Sequence, residues 1–296
     1  LAPVVRRATQ RMHEWVAHPG GESSAAARLA YKDAVAISDD AGPRFFEMLA
    51  AQMPQPWMVL RVISAVMDKP TERYLRDSEL AGFGETLLSD VDASLAAIAG
   101  LKPDDGPAAG RAAARRAELI VQQIMEIETS VDLTRDSGWG HRVMKQRASL
   151  ASVVEGRLRE AEKAAIEALP MQTPRNQRAR RPIPRLSDPP QERLVARALT
   201  LLSFSDELRS TANYGGFSSA RNKLIEKLGE HIDHFVEEVL DLIRTDEVES
   251  LENAQGFLDA AAQFNGLIRD AKAADLVRRR THAAVHPDPP ALAAGA

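Results

Sequence analysis

The residues whose types and spacing come closest to a chemical site are His231, His234 and Glu238, in the run Glu230-His231-Ile232-Asp233-His234-Phe235-Val236-Glu237-Glu238. Spacings of three and four put them on one flank of a helix, and two imidazoles with a carboxylate would suit zinc or iron. Three ligands from one helix rarely complete a coordination sphere, Lys227 on the same flank opposes a cation, and the Glu-x-x-His pairing of di-iron bundles is missing. The flank therefore reads as a solvated polar face. No metal or cofactor is expected, and this trio is the one metal alternative.

Other chemistry has less to stand on. The chain has no cysteine, which removes thiol nucleophiles, disulfides and cysteine zinc sites. It also lacks a Gly-x-Ser-x-Gly elbow, a Gly-x-x-x-x-Gly-Lys phosphate loop and a dinucleotide fingerprint. Asp132, Asp136 and His141 flank Gly138-Trp139-Gly140 and would make an acid–base group, but one histidine beside two acids is what chance gives. Gly82-Phe83-Gly84 lies inside a helical pattern and reads as a close-packing point.

Binding features come next. Trp57, Trp139, Tyr214 and Phe217 stand at turns or helix starts, where aromatics staple successive helices or anchor a partner. Trp139 and Tyr214 are the partner-binding candidates, Trp139 first because glycines flank it. Arg175, Arg178, Arg180, Arg181 and Arg185, offset only by Asp188, put a local charge of +4 on a proline-rich strip. Such a strip binds phosphates without reading sequence, although no aromatics interleave to stack on bases. An acidic counterpart lies within the chain, since eleven acids against four bases leave −7 between Arg221 and Asp259. Docking of the strip on that surface, or plain solvated disorder, is the favoured reading, with nucleic acid second.

The elements that must carry these residues are helical. Only 5% of residues are aromatic and no period-two alternation is sustained, whereas Ala, Leu, Glu and Arg abound, which favours helix over strand. The expected fold is all-α, about nine helices in antiparallel hairpins forming a bundle or short irregular solenoid, with no sheet. Early helices are predicted over 4–17, 23–37, 44–53 and 57–67, separated by Gly and Pro. A longer one after Asp77 stops near Gly100, and Pro107 opens a helix running to about Ser137. The next carries Val143 to Leu169. Asp188 and Gln191 suggest a capping box before a helix over 193–213, and Asp246 with Glu249 suggests another before a last helix ending near His282. A shift of 74 residues lays Val143, Leu150, Val154 and Leu158 on Phe217, Leu224, Leu228 and Ile232, an internal repeat that any two amphipathic helices could mimic.

Four segments follow from this map: an N-terminal helical domain over 1–169, a Pro/Arg-rich linker over 170–190, a C-terminal helical domain over 191–286 and a disordered tail over 287–296. The most apolar stretch, Trp57 to Met67, is broken by Arg61 and too short to span a membrane. With net charge −4 and no leader at Leu1, a soluble cytoplasmic protein is expected, any processed segment lying upstream. The excess of Arg over Lys, with much Ala, matches GC-rich bacterial coding. By elimination the expected function is a non-catalytic helical scaffold that binds another protein of unknown identity. A nucleic-acid or anionic-surface binder acting through the arginines and a helical metalloprotein are the alternatives.

Overall fold

The computed structural model describes residues 14–16, 21–38, 40–173 and 182–286. The fold is all-α: 77% of the described residues are helical. No helix among them is long and apolar enough to cross a membrane. Contacts gather into two compact units, one of residues 1–96 and 118–150, the other of 97–117 and 151–296. The division passes through helices rather than at 170–190.

The first unit holds α1 (Gly21–Ile37), α2 (Ala41–Ala50), a 3-10 turn (Pro56–Met58) leading into α3 (Val59–Met67), α4 (Glu72–Arg76) and most of α5 (Ala81–Ala99), with the later part of α6 (Pro107–Ser130) and the first part of α7 (Gly138–Ala168). Apolar residues of α3 at Val59, Leu60, Val62, Ile63 and Val66 are buried, and Phe46, Leu75, Leu87, Leu88, Ile120 and Ile127 complete the core. By contrast, α1 buries only Ser24. Pro107 opens α6 as predicted, its missing N–H being harmless in the first turn. That helix ends at Ser130, short of the expected Ser137, because the chain next bridges to another segment: Asp132 N–H donates to the Pro70 carbonyl and Glu72 N–H to the Asp132 carbonyl.

The second unit holds the start of α6 and the end of α7, then α8 (Glu192–Glu207), α9 (Ser218–Arg244), α10 (Leu251–Ile268) and α11 (Ala271–Val285). Leu224, Leu228, Ile232, Phe235 and Val239 form one buried stripe on α9, and Ile243 at its end is half-buried. Each such side chain stabilises the fold by about 1.5–3 kcal/mol. Close approach matters as well: a Cβ at Gly110 would overlap the Thr200 carbonyl, so α6 and α8 touch there backbone to backbone.

Several expectations are corrected here. A small sheet exists, because Met171–Gln172 pairs antiparallel with Ile183–Pro184 at the two ends of the proline-rich strip. Asp188 does not cap α8; its carboxylate pairs with Arg185 at 3.2 Å, and Gln191 holds the N-cap position without a side-chain bond. Asp246 is left-handed at φ 59° and cannot open a helix, so Ser250 caps α10 by accepting from Asn253 N. The expected last helix is two helices, because Asp270 is extended and its side chain accepts from Ala273 N, starting α11 afresh. Residues 208–217, expected in part as helix, are mostly turn. The expected helix over 4–17 and the tail over 287–296 fall largely or wholly outside the described residues.

Candidate binding groove

Arg61 interrupts the apolar pattern of α3, and Glu126 lies beside the Ile120, Ile124, Ile127 row of α6. The two meet across 65 residues of sequence. Arg61 Nε donates to both carboxylate oxygens at 3.1 and 3.0 Å, and its Nη2 donates to Oε2. The Ser130 hydroxyl donates to Oε1 at 2.9 Å. Glu126 is buried, 6% of its side chain exposed, while that of Arg61 is 27% exposed. A carboxylate so desolvated is tolerated because a guanidinium and a hydroxyl both bond to it.

This neutralised pair lies along a cavity of about 500 Å³ whose other walls are Gln55, Trp57, Met58, Gln122, Met125 and Thr129. That size is in the range of small-ligand and side-chain pockets. Met125 is 43% exposed, and Met58 and Trp57 are partly so. The indole Nε1 of Trp57 is buried and has no hydrogen-bond partner among the described residues. A buried donor left in that state costs free energy that an incoming acceptor recovers.

A second polar cluster in the same unit has a different task. Glu72, 2% exposed, accepts from the backbone N–H of Trp139 at 2.8 Å and of Gly140 at 3.2 Å, and from Arg76 at 3.3 Å. It thus caps the first turn of α7 from α4, at the positive end of the helix dipole. Burial alone would raise its pKa. Hydrogen bonds from Ser137, the two amides and Arg76 outweigh that and hold it below the usual glutamate value. Trp139 itself is 2% exposed, with its indole N–H on Glu85 at 2.6 Å. Its ring occupies the space over Gly84, where a Cβ would overlap it. Of the Gly82-Phe83-Gly84 run, Gly84 is therefore a close-packing point and Gly82 is not.

The remaining sequence candidates are scattered. Tyr214 is 67% exposed on the turn before α9, while Phe217 is fully buried there. Arg175, Arg178, Arg180 and Arg181 lie outside the described residues, and Arg185 is paired with Asp188. The His231 ring nitrogen lies 3.0 Å from the Leu169 carbonyl. Burial lowers its pKa, the Leu169 carbonyl opposes that, and His234 adds to it. His234 faces Glu238 at 3.8 Å, and among the described residues no three metal-ligating side chains are grouped. His141 is exposed and is not gathered with Asp132 and Asp136 into a site.

Sequence reading missed Arg61, Glu126 and Glu72. One signal was available, since Arg61 and Glu126 are charges beside two otherwise apolar stripes, but nothing in the sequence pairs them. No protein-family model matches the chain, and no curated protein or solved structure matches it either.

Proposed function

We propose that this chain is a non-catalytic helical protein that binds another protein, seating an amphipathic helix of that partner in the Trp57–Met58–Met125 groove. One observation carries the reading: an open, methionine-lined cavity whose buried carboxylate is neutralised by Arg61, beside a buried indole donor without an acceptor among the described residues. Methionine side chains adapt to differing apolar shapes and are common on binding surfaces. The neutral floor favours apolar or uncharged inserted residues and penalises a charged one, which would enter without a counterion. A helix is the fitting occupant because the first unit offers no strand edge among its described residues beyond the single Thr71–Asp132 bridge, which leaves no place for strand addition. Nucleic acid is not favoured, as the groove carries no excess positive charge.

The test places a photo-crosslinking amino acid at position 125 of the full chain and, separately, at Met144, which is similarly exposed in the same unit. A protein captured from 125 alone is then purified and rebound, and Met125→Asp should weaken that reconstituted binding at least tenfold while Met144→Asp leaves it unchanged. Equal capture from both positions, or unchanged affinity for Met125→Asp, would overturn the reading.

A further inference from the structure

A second cavity of the first unit, about 490 Å³, is lined between α1, the end of α3 and α4 by side chains of another chemistry. Three are cations, Arg28, Lys32 and Lys69, and two are phenols, Tyr31 and Tyr74; Val66, Met67 and Pro70 supply apolar wall. No carboxylate lines it, although acids outnumber bases in the whole chain. None of the three cations forms an ion pair with a described carboxylate. Arg28 spends only its Nε, on the Ala65 carbonyl at 2.9 Å, which leaves its amino groups without a described partner.

The wall is also held in place. Tyr31 packs on Phe46 with ring centroids 5.3 Å apart and lies over Gly42, where a Cβ would come within 2.9 Å of the ring. A phenol keeps its proton near neutrality, so the Tyr31 hydroxyl is a donor there, and burial first, then Tyr74 and Glu79, raises its pKa further. Asp68 and Lys69 are consecutive non-glycine residues with left-handed backbones, φ 60° and 54°. Asp68 is the C-cap of α3, and Lys69 N–H closes that end on the Ser64 carbonyl at 2.9 Å, so the left-handed pair stops the helix at the edge of the cavity.

We propose that this cavity binds a small aromatic phosphate monoester, its phosphate held by Arg28, Lys32 and Lys69 and its ring set against Tyr74, Val66 and Pro70. A dianion answers three unpaired cations. The fork of Arg28 matches two phosphate oxygens, the lysines act as point charges, and phenol hydroxyls add neutral donors. The apolar wall gives the organic body a surface that inorganic phosphate cannot use. This inference does not depend on the partner-helix groove.

Calorimetric titration of the full chain at low salt with phenyl phosphate, inorganic phosphate and phenol tests it. Phenyl phosphate should bind saturably at one site, at least tenfold tighter than either of its halves, and more weakly as salt rises. Lys32→Glu with Lys69→Glu should weaken it at least tenfold, whereas Arg73→Glu, whose side chain is 92% exposed and outside the cavity, should not. Lys69→Gly separates folding from binding: it relieves the left-handed strain, so the melting temperature should hold or rise while affinity falls. Absence of saturable phenyl phosphate binding, equal affinity for inorganic phosphate, or parental affinity in Lys69→Gly would each overturn the proposal.

Discussion

The two units of this protein spend their polar residues differently. In the second, α9 and α10 bury continuous apolar faces, Phe235 meets Phe257 with centroids 5.8 Å apart, the one buried guanidinium among the described residues, Arg221, is spent on the Ser205 carbonyl, and the carboxylates stay at the rim, where Arg269 grips Asp233 and Arg280 grips Glu237, each through two bonds of 2.6–2.8 Å. In the first, carboxylates go inside, with Glu72 and Glu126 both buried and hydrogen-bonded, while Leu29, Ile37, Met48 and Met125 remain outside. Apolar burial is what a unit needs to hold itself together. Buried charge with exposed apolar surface is costlier to keep and marks surfaces that meet something else. Both candidate sites fall in the first unit.

Three substitutions press on that contrast. Phe235→Ala removes a fully buried ring from the second unit and should cost about 3–5 kcal/mol in a urea melt; a cost under about 1 kcal/mol would mean that the unit does not rest on its apolar stripe. Glu72→Gln should cost less, about 1–2 kcal/mol at pH 7, since the amide still offers one acceptor to the α7 amides but no charge. Because the folded pKa of Glu72 lies below its unfolded value, the stabilisation is complete above about pH 4.5 and is lost as pH falls through the folded value. Parent and variant melts should therefore draw together as pH falls below about 4.5, and a gap that does not shrink with acid would assign the effect to packing instead. His234→Ala should be smallest, within about 0.5 kcal/mol, with or without chelator, because the residue is exposed and lies no nearer than 3.8 Å to the Glu238 carboxylate it faces. A large, chelator-sensitive loss would move chemistry into the second unit and undo the comparison.

Legibility in the sequence followed the same divide. The all-α class and the stripe from Leu224 to Val239 could be read because helical periodicity is local: each apolar residue is announced by one three or four positions away. Boundaries failed where two capping residues competed, as when Ser250 rather than Asp246 opened α10. The internal break at Arg269-Asp270 was overlooked because the apolar pattern runs across it, although an aspartate before Ala-Lys-Ala is a start signal. Neither cavity was visible. Arg61 finds Glu126, and Lys32 finds Lys69, only through tertiary folding, which periodicity does not encode. Trp139 shows the converse failure: glycine neighbours suggested an unencumbered surface ring, whereas Gly84 supplies the space that lets it go inside.

The Glu72 cap also sets an order of events. The Trp139 amide acquires its acceptor from a residue 67 positions upstream, whereas the Gly140 amide also has the neighbouring Ser137 hydroxyl at 3.1 Å, so the first turn of α7 is fully satisfied only when a long loop closes. Closure of such a loop costs entropy that grows slowly with its length and is recovered only once the distant contact forms. Until α4 arrives the Trp139 amide has no acceptor of its own and exchanges freely, and afterwards it is protected. Time-resolved hydrogen exchange during refolding would therefore see that amide as a clock for the assembly of the first unit, lagging behind the middle of its own helix.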